Sequence, residues 1–181
     1  MFDVLIIGGG QAGLAIGYYL QRTPLRYQIV ERHGRVGDSW RRRYNSLLLF
    51  TPRAYSALPG LPVSGDPEGY PDKDEIADYL EAYAHHFELP VALGSGIRSL
   101  ERLNGGFRAT SDSGAQIDCQ AVVLATGAFQ QPAIPAFARH MSASVLQLSP
   151  ESYKRPGQVP SGVRGRRRSR PGSSRRPSNG A

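Results

Sequence analysis

At 181 residues, with 40% hydrophobic and 20% charged side chains, the chain carries enough apolar matter for one cored domain. Its formal charge of +7 invites an anionic partner, but residues 161–181 hold seven arginines and no acid, which leaves 15 basic against 15 acidic side chains in residues 1–160. The single cysteine, Cys119, excludes an internal disulfide framework, a Cys-x-x-Cys redox pair and a cysteine-rich zinc site, and it suits a reducing cytoplasm.

The chain opens on Val4-Leu5-Ile6-Ile7, an apolar run that ends in three glycines and predicts a parallel strand buried on both faces. It is not expected to be a signal peptide or a membrane span, because Asp3 stands where a basic segment belongs and Gly8–Gln11 interrupt the run. Leu14 to Leu20 predicts a helix stopped before Pro24, and Tyr27–Val30 a second strand with Glu31 at its end, which makes a βαβ unit. Residues 32 to about 70 show no sustained period, and so long an irregular stretch points to function. Asp72 with Glu75 predicts a capping box, and Ile76, Tyr79, Leu80, Tyr83 and Phe87 follow at helical spacing until Pro90. Ile97–Leu103, Phe107–Thr110 and Ala115–Ile117, joined by Asn104-Gly105-Gly106 and Asp112-Ser113-Gly114, predict a small β-meander. Ala121–Ala125 predicts one more buried strand, ending in Thr126-Gly127. Residues 161–181, with seven Arg, five Ser, four Gly and two Pro, are expected to be a disordered basic tail.

The chemistry concentrates at Gly8-Gly9-Gly10-Gln11-Ala12-Gly13. A G-x-G-x-x-G turn that follows a buried strand, opens a helix and precedes an acid 18 residues later is a dinucleotide fingerprint. Gly8 permits the tight turn, Gly10 lets backbone approach a pyrophosphate, and Gly13 allows close helix–strand packing. The helix N-terminus, at Gln11 and Ala12, offers free N–H groups and the positive dipole end to phosphates. Glu31 can accept hydrogen bonds from ribose hydroxyls. Arg32 reads either as a hint of a 2′-phosphate or as an exposed arginine. The fold class is therefore α/β, a Rossmann-type three-layer core with a small β-meander.

Which dinucleotide is bound is suggested by the segments that follow. Gly37-Asp38-Ser39-Trp40, Arg43–Leu47, Phe50-Thr51-Pro52 and Leu58–Pro62 resemble the post-fingerprint region of flavin-containing monooxygenases and FAD-dependent NAD(P)H oxidoreductases. Tyr70-Pro71 with Tyr79-Leu80, Val122–Gln130, and Val145–Leu148 with Tyr153 are similar too, so the resemblance runs from residue 2 to about 160. It implies an FAD-binding domain in residues 1–160. There Gly8, Gly10 and Gly13 would hold the pyrophosphate and Glu31 the ribose. Gly37, Ser39 and Trp40 would lie at the flavin end, the Ile97 backbone at the adenine, and Ala125-Thr126-Gly127 where the chain turns back over the cofactor. In such enzymes NADPH reduces FAD, and the reduced flavin activates O2 toward a soft nucleophile or a carbonyl. The resemblance identifies neither a catalytic residue nor the small-molecule substrate.

Two departures stand out. Ser149 replaces the family's histidine four residues before the aromatic Tyr153. After Arg155-Pro156 the family continues into a strand and a second glycine fingerprint for NADPH, whereas this chain continues into Gly165-Arg166-Arg167-Arg168. Arginine codons of the CGN type read one base later encode Val, Ala, Gly or Asp, so a shifted reading frame would turn such a strand into such a tail. A native basic extension is the other reading.

Two other function classes compete with a flavin enzyme. One is a non-catalytic dinucleotide module lacking the NADPH domain, and the other a nucleic-acid binder resting on the tail alone, with no specific nucleic acid expected. A plain NAD dehydrogenase leaves Gly37–Trp40 unexplained. Arg41-Arg42-Arg43 could meet phosphate or simply be exposed. His85 and His86, near a helix end without ligand spacing, point to packing or solvation rather than to a metal.

Overall fold

The protein is described here by a computed structural model covering residues 1–128 and 132–160. The tail expected in residues 161–181, and Phe129 and Gln130 of the resembling segment, lie outside the described residues. In chain order the elements are β1 (Phe2–Ile7), α1 (Gln11–Leu20), β2 (Tyr27–Val30), α2 (Asp38–Arg41), α3 (Arg53–Ser56), α4 (Lys73–His86), β3 (Val91–Ala92), β4 (Ile97–Leu103), β5 (Gly106–Ser111) and β6 (Gln116–Leu124). Single 3-10 turns follow at Ala136–His140 and Pro156–Gln158.

All six strands form one mixed sheet in the order β3-β2-β1-β6-β5-β4. Its first four members run parallel, and β6-β5-β4 are antiparallel. A flat sheet of this size would hold its edge strands about 24 Å apart. Only Leu93–Gly96 join β3 to β4, and the chain from Ala92 to Ile97 can reach about 18 Å at most. The sheet must therefore curl, and backbone bonds show where it does. Ser95 N–H donates to the Glu31 carbonyl (2.8 Å), and Asp112 N–H to the Gly96 carbonyl (2.8 Å).

Curling creates two cores from one apolar strand. Val4 and Ile6 of β1 face the helices, in a cluster with Leu14, Ile29, Ile76, Leu80 and Tyr83. Leu5 and Ile7 face the other way, into a cluster with Val30, Ala109 and Cys119, against which Phe107 and Ile117 of the meander pack. Burial on both faces is why β1 reads as an unbroken apolar run. The architecture is α/β and Rossmann-like, with α1 and α4 over one face and the curled meander over the other.

The predicted elements need four adjustments. Ala115–Ile117 and Ala121–Ala125, expected as separate strands, merge into the single long β6, which begins at Gln116 and ends at Leu124. Its polar middle broke the apolar pattern, because Asp118 there pairs with Arg108 of β5 (2.7 Å) instead of facing a core. β6 belongs to both halves, so the meander continues the parallel sheet. α4 stops at His86, ahead of Pro90, because Glu88 takes a left-handed conformation (φ +49°) and turns the chain toward β3. The irregular stretch contains α2 and α3, each one turn long.

A candidate dinucleotide site at the sheet's C-terminal edge

Register sets the site. Ile7 of β1 is level with Val30 of β2 and with Leu124 of β6. The residues that follow these three strands therefore leave the sheet along one edge. Those residues are the glycine turn, Glu31 and Ala125-Thr126-Gly127. β1 lies between strands reached in opposite directions, the switch point at which open α/β sheets leave a crevice.

The turn is built by close backbone approach. Gly8 N–H donates to the Val30 carbonyl (2.8 Å) and Ala125 N–H to the Ile7 carbonyl (2.8 Å). Gly8 has φ +116°, and a Cβ on it would overlap the Ala125 carbonyl oxygen. A Cβ on Gly13 would overlap the Gly8 carbonyl in the same way, so α1 starts directly on the turn. Gly10 is different. It is the N-cap of α1, in extended conformation, and a Cβ there would have nothing within 4 Å.

Open space over Gly10 meets an open helix end. The first intrahelical bond of α1 runs from Leu14 N–H to the Gly10 carbonyl (2.9 Å), so the N–H groups of Gln11, Ala12 and Gly13 have no partner within the helix. No side chain caps the helix and no acid lies in its first turn. These observations fit a diphosphate, which would supply the missing acceptors and the negative charge.

Glu31 stands beside the turn, with its side chain 14% exposed. Its Oε2 accepts from Gly9 N–H (2.7 Å), and its Oε1 accepts from His33 N–H (2.9 Å) and faces His33 Nδ1 (2.8 Å). Gly94 N–H donates to the His33 carbonyl (2.9 Å) and Ser95 N–H to the Glu31 carbonyl (2.8 Å), which lays residues 94 and 95 against Glu31–His33 just ahead of Ile97, where β4 begins. Arg32 points along the rim, where its Nε lies 4.0 Å from Asp112 Oδ2.

Gly8, Gly13, Glu31 and Ala125 are thus linked around the turn, with Gly10, Gln11 and Ala12 opening α1 from it and Thr126 and Gly127 following Ala125, while Arg32 lies toward Asp112 and Ile97 pairs with Ser111 in the meander. Gly37, Ser39 and Trp40 belong to a second component, α2. Gly37 (φ +86°) is its N-cap, and a Cβ there would come within 2.5 Å of the Ala77 carbonyl oxygen of α4. Trp40 packs on the helix-side core. Arg41 ties α2 down, donating to Asp78 (2.7 Å), Glu81 (3.0 Å) and the Val36 carbonyl (2.7 Å). Of the Arg41–Arg43 run, Arg41 is therefore engaged in structure. The histidines near the end of α4 behave as helix-end residues, with the His86 ring edge-on to Phe87 at 4.6 Å.

The 149–155 segment returns to this component. The Tyr153 ring lies tilted against Tyr44 (centroids 6.2 Å apart, 47° between planes), Asn45 N–H donates to the Lys154 carbonyl (2.9 Å), and Lys154 Nζ reaches the Arg42 carbonyl. Ser149 closes the turn that makes this possible, since its carbonyl accepts from Tyr153 N–H (2.9 Å).

A family model described as pyridine nucleotide-disulphide oxidoreductase matches residues 5–155. The chain belongs to this family. An uncharacterised CzcO-like oxidoreductase of Geobacillus kaustophilus is 50% identical over 160 residues, covering 88% of this chain and 46% of the relative. A CzcO oxidoreductase of Bacillus subtilis is 38% identical over 159 residues, covering 88% and 46%. Among solved structures, a flavin-containing monooxygenase from Stenotrophomonas maltophilia superposes with a TM-score of 0.70 at 34% identity, covering 74% of this chain and 41% of that one. The chain spans about half the length of the curated relatives it matches.

Sequence reasoning missed His33 and Asp112. The only signal for His33 was its place two residues beyond the acid that ends β2, where the chain doubles back on that side chain.

Proposed function

We propose that the protein is the FAD-binding part of a flavin-dependent NAD(P)H oxidoreductase of the monooxygenase kind. The observation that carries this is the uncapped N-terminus of α1 beneath the open space at Gly10, with the Glu31 carboxylate fixed beside it. On this reading the N–H groups of Gln11, Ala12 and Gly13 take the pyrophosphate, Glu31 a ribose hydroxyl, and the Ile97 backbone the adenine edge. Gly37, Ser39 and Trp40 border the flavin, held at a set height by the Arg41 anchor on α4. FAD supplies the redox chemistry when bound. The chain's own task is to bind it extended, orient it and keep water from its buried side.

The Stenotrophomonas likeness favours monooxygenase over disulphide reductase chemistry. NADPH is the expected electron donor, and a reducing cytoplasm the setting that one free thiol suits. Among the described residues no helix is long and apolar enough to cross a membrane.

Flavin content tests the reading. The purified chain, mixed with FAD and desalted, should retain yellow flavin in about equimolar amount, with the fluorescence of its one tryptophan quenched. A chain that retains no FAD and shows no affinity for ADP would sink the proposal. Retention without NADPH oxidation by the isolated chain would identify a binding module.

A further inference from the structure

We infer that His33 is a positioning residue of this site, holding the Glu31 carboxylate so that one acceptor position on Oε2 faces a ribose hydroxyl. The inference rests on the FAD reading above. A carboxylate has about four acceptor positions on its two oxygens. Oε1 is occupied twice, by the His33 N–H and by its imidazole, while Oε2 is occupied once, by Gly9 N–H. The remaining position lies on the oxygen already drawn to the glycine turn. It calls for a donor, which a hydroxyl supplies and a phosphate ester does not.

Two features separate positioning from fold maintenance. The backbone here is secured without the side chains, since Glu31 N–H donates to the Ala92 carbonyl (2.9 Å) and the Glu31 carbonyl accepts from Ser95 (2.8 Å). Both side chains are also largely withdrawn from water, with 17% exposure for His33 and 14% for Glu31, which strengthens their bond and leaves the carboxylate few alternative rotamers. Without the imidazole, Oε1 is released to compete for water and the carboxylate can swing away from the turn.

Calorimetric titration of the full chain with FAD, ADP and FMN tests this. His33→Ala should weaken FAD and ADP about fivefold, the scale of one net hydrogen bond, and leave FMN unchanged because FMN lacks the adenosine. His33→Asn, whose amide N–H can stand in for Nδ1–H, should restore ADP binding. In a Glu31→Gln background, His33→Ala should add nothing. Should His33→Ala not fold, His33→Gln replaces it, because its amide lies one bond too far out. Native-like ADP affinity in the alanine variant, or an equal loss in the Glu31→Gln background, overturns the role of His33 alone. Failure of the native chain to bind both FAD and ADP overturns the FAD reading and this inference with it.

Discussion

Gly8 passes directly beneath Ala125, so closely that a Cβ on Gly8 would overlap the Ala125 carbonyl oxygen. The glycine turn after β1 and the Ala125-Thr126-Gly127 turn after β6 are therefore one structural object. Gly8→Ala must overcome both this overlap and a φ of +116°, a region L-residues rarely adopt. A loss of about 3 kcal/mol or more is expected in urea unfolding, whether or not flavin is present.

Gly10→Ala should separate binding from folding. Its φ of −88° suits alanine, and the space around a new Cβ is empty. Stability should change by less than about 1 kcal/mol, while FAD affinity falls about tenfold or more because the methyl group stands where the pyrophosphate would approach. A variant that binds FAD normally would place the phosphates elsewhere.

Tyr79 fastens the irregular segment to α4. Its hydroxyl accepts from Leu58 N–H (2.6 Å) and donates to the Leu61 carbonyl (2.8 Å), and burial raises its pKa. Tyr79→Phe leaves both backbone groups without this partner. A cost of about 1–3 kcal/mol is expected, along with faster proteolysis in residues 57–63 than elsewhere.

Acid should weaken the anchoring of residues 35–41 on α4 through Glu81. The hydrogen bond from Arg35, helped by the charges of Arg35 and Arg41, holds the Glu81 carboxyl below its usual range against a smaller opposing effect of burial. A depressed folded pKa stabilises above the ordinary glutamate value and is lost as pH falls through the folded one. The melting temperature of the native chain should therefore fall more steeply below about pH 4.3 than that of Glu81→Gln. The difference should be small and shrink in salt, because the pair is half exposed.

Cys119 is 1% exposed within the curl, and burial raises its pKa. A thiol reagent should label it only as fast as the protein opens, with rapid labelling in urea and protection in buffer. Fast labelling of the native chain would mean that the meander does not close over β1.

Local pattern carried much of this structure. The four apolar residues of β1, the fingerprint glycines, Glu31 just after β2 and the Asp72–Glu75 capping box, whose reciprocal bonds are present, each show as a pattern within a short stretch of chain. Spacing along the chain can encode such features. The βαβ unit and the placing of Glu31 beside the glycine turn were legible for that reason, and the resemblance drew attention to Gly37–Trp40 and Ala125–Gly127.

Tertiary structure alone decided what the curl of the sheet brings together. β6 is one strand because Asp118 finds Arg108 across the ladder, and no window of sequence contains that partner. The seat of α2 depends on Ala77, Asp78 and Glu81, on a helix far along the chain. His33 counted for little as a residue in an irregular stretch. It became part of the site only because chain reversal after β2 set its imidazole against Glu31. The +7 charge follows the same division. Its confinement to residues 161–181 is plain from the sequence, while the uncapped helix end over open space in the formally neutral body comes from folding.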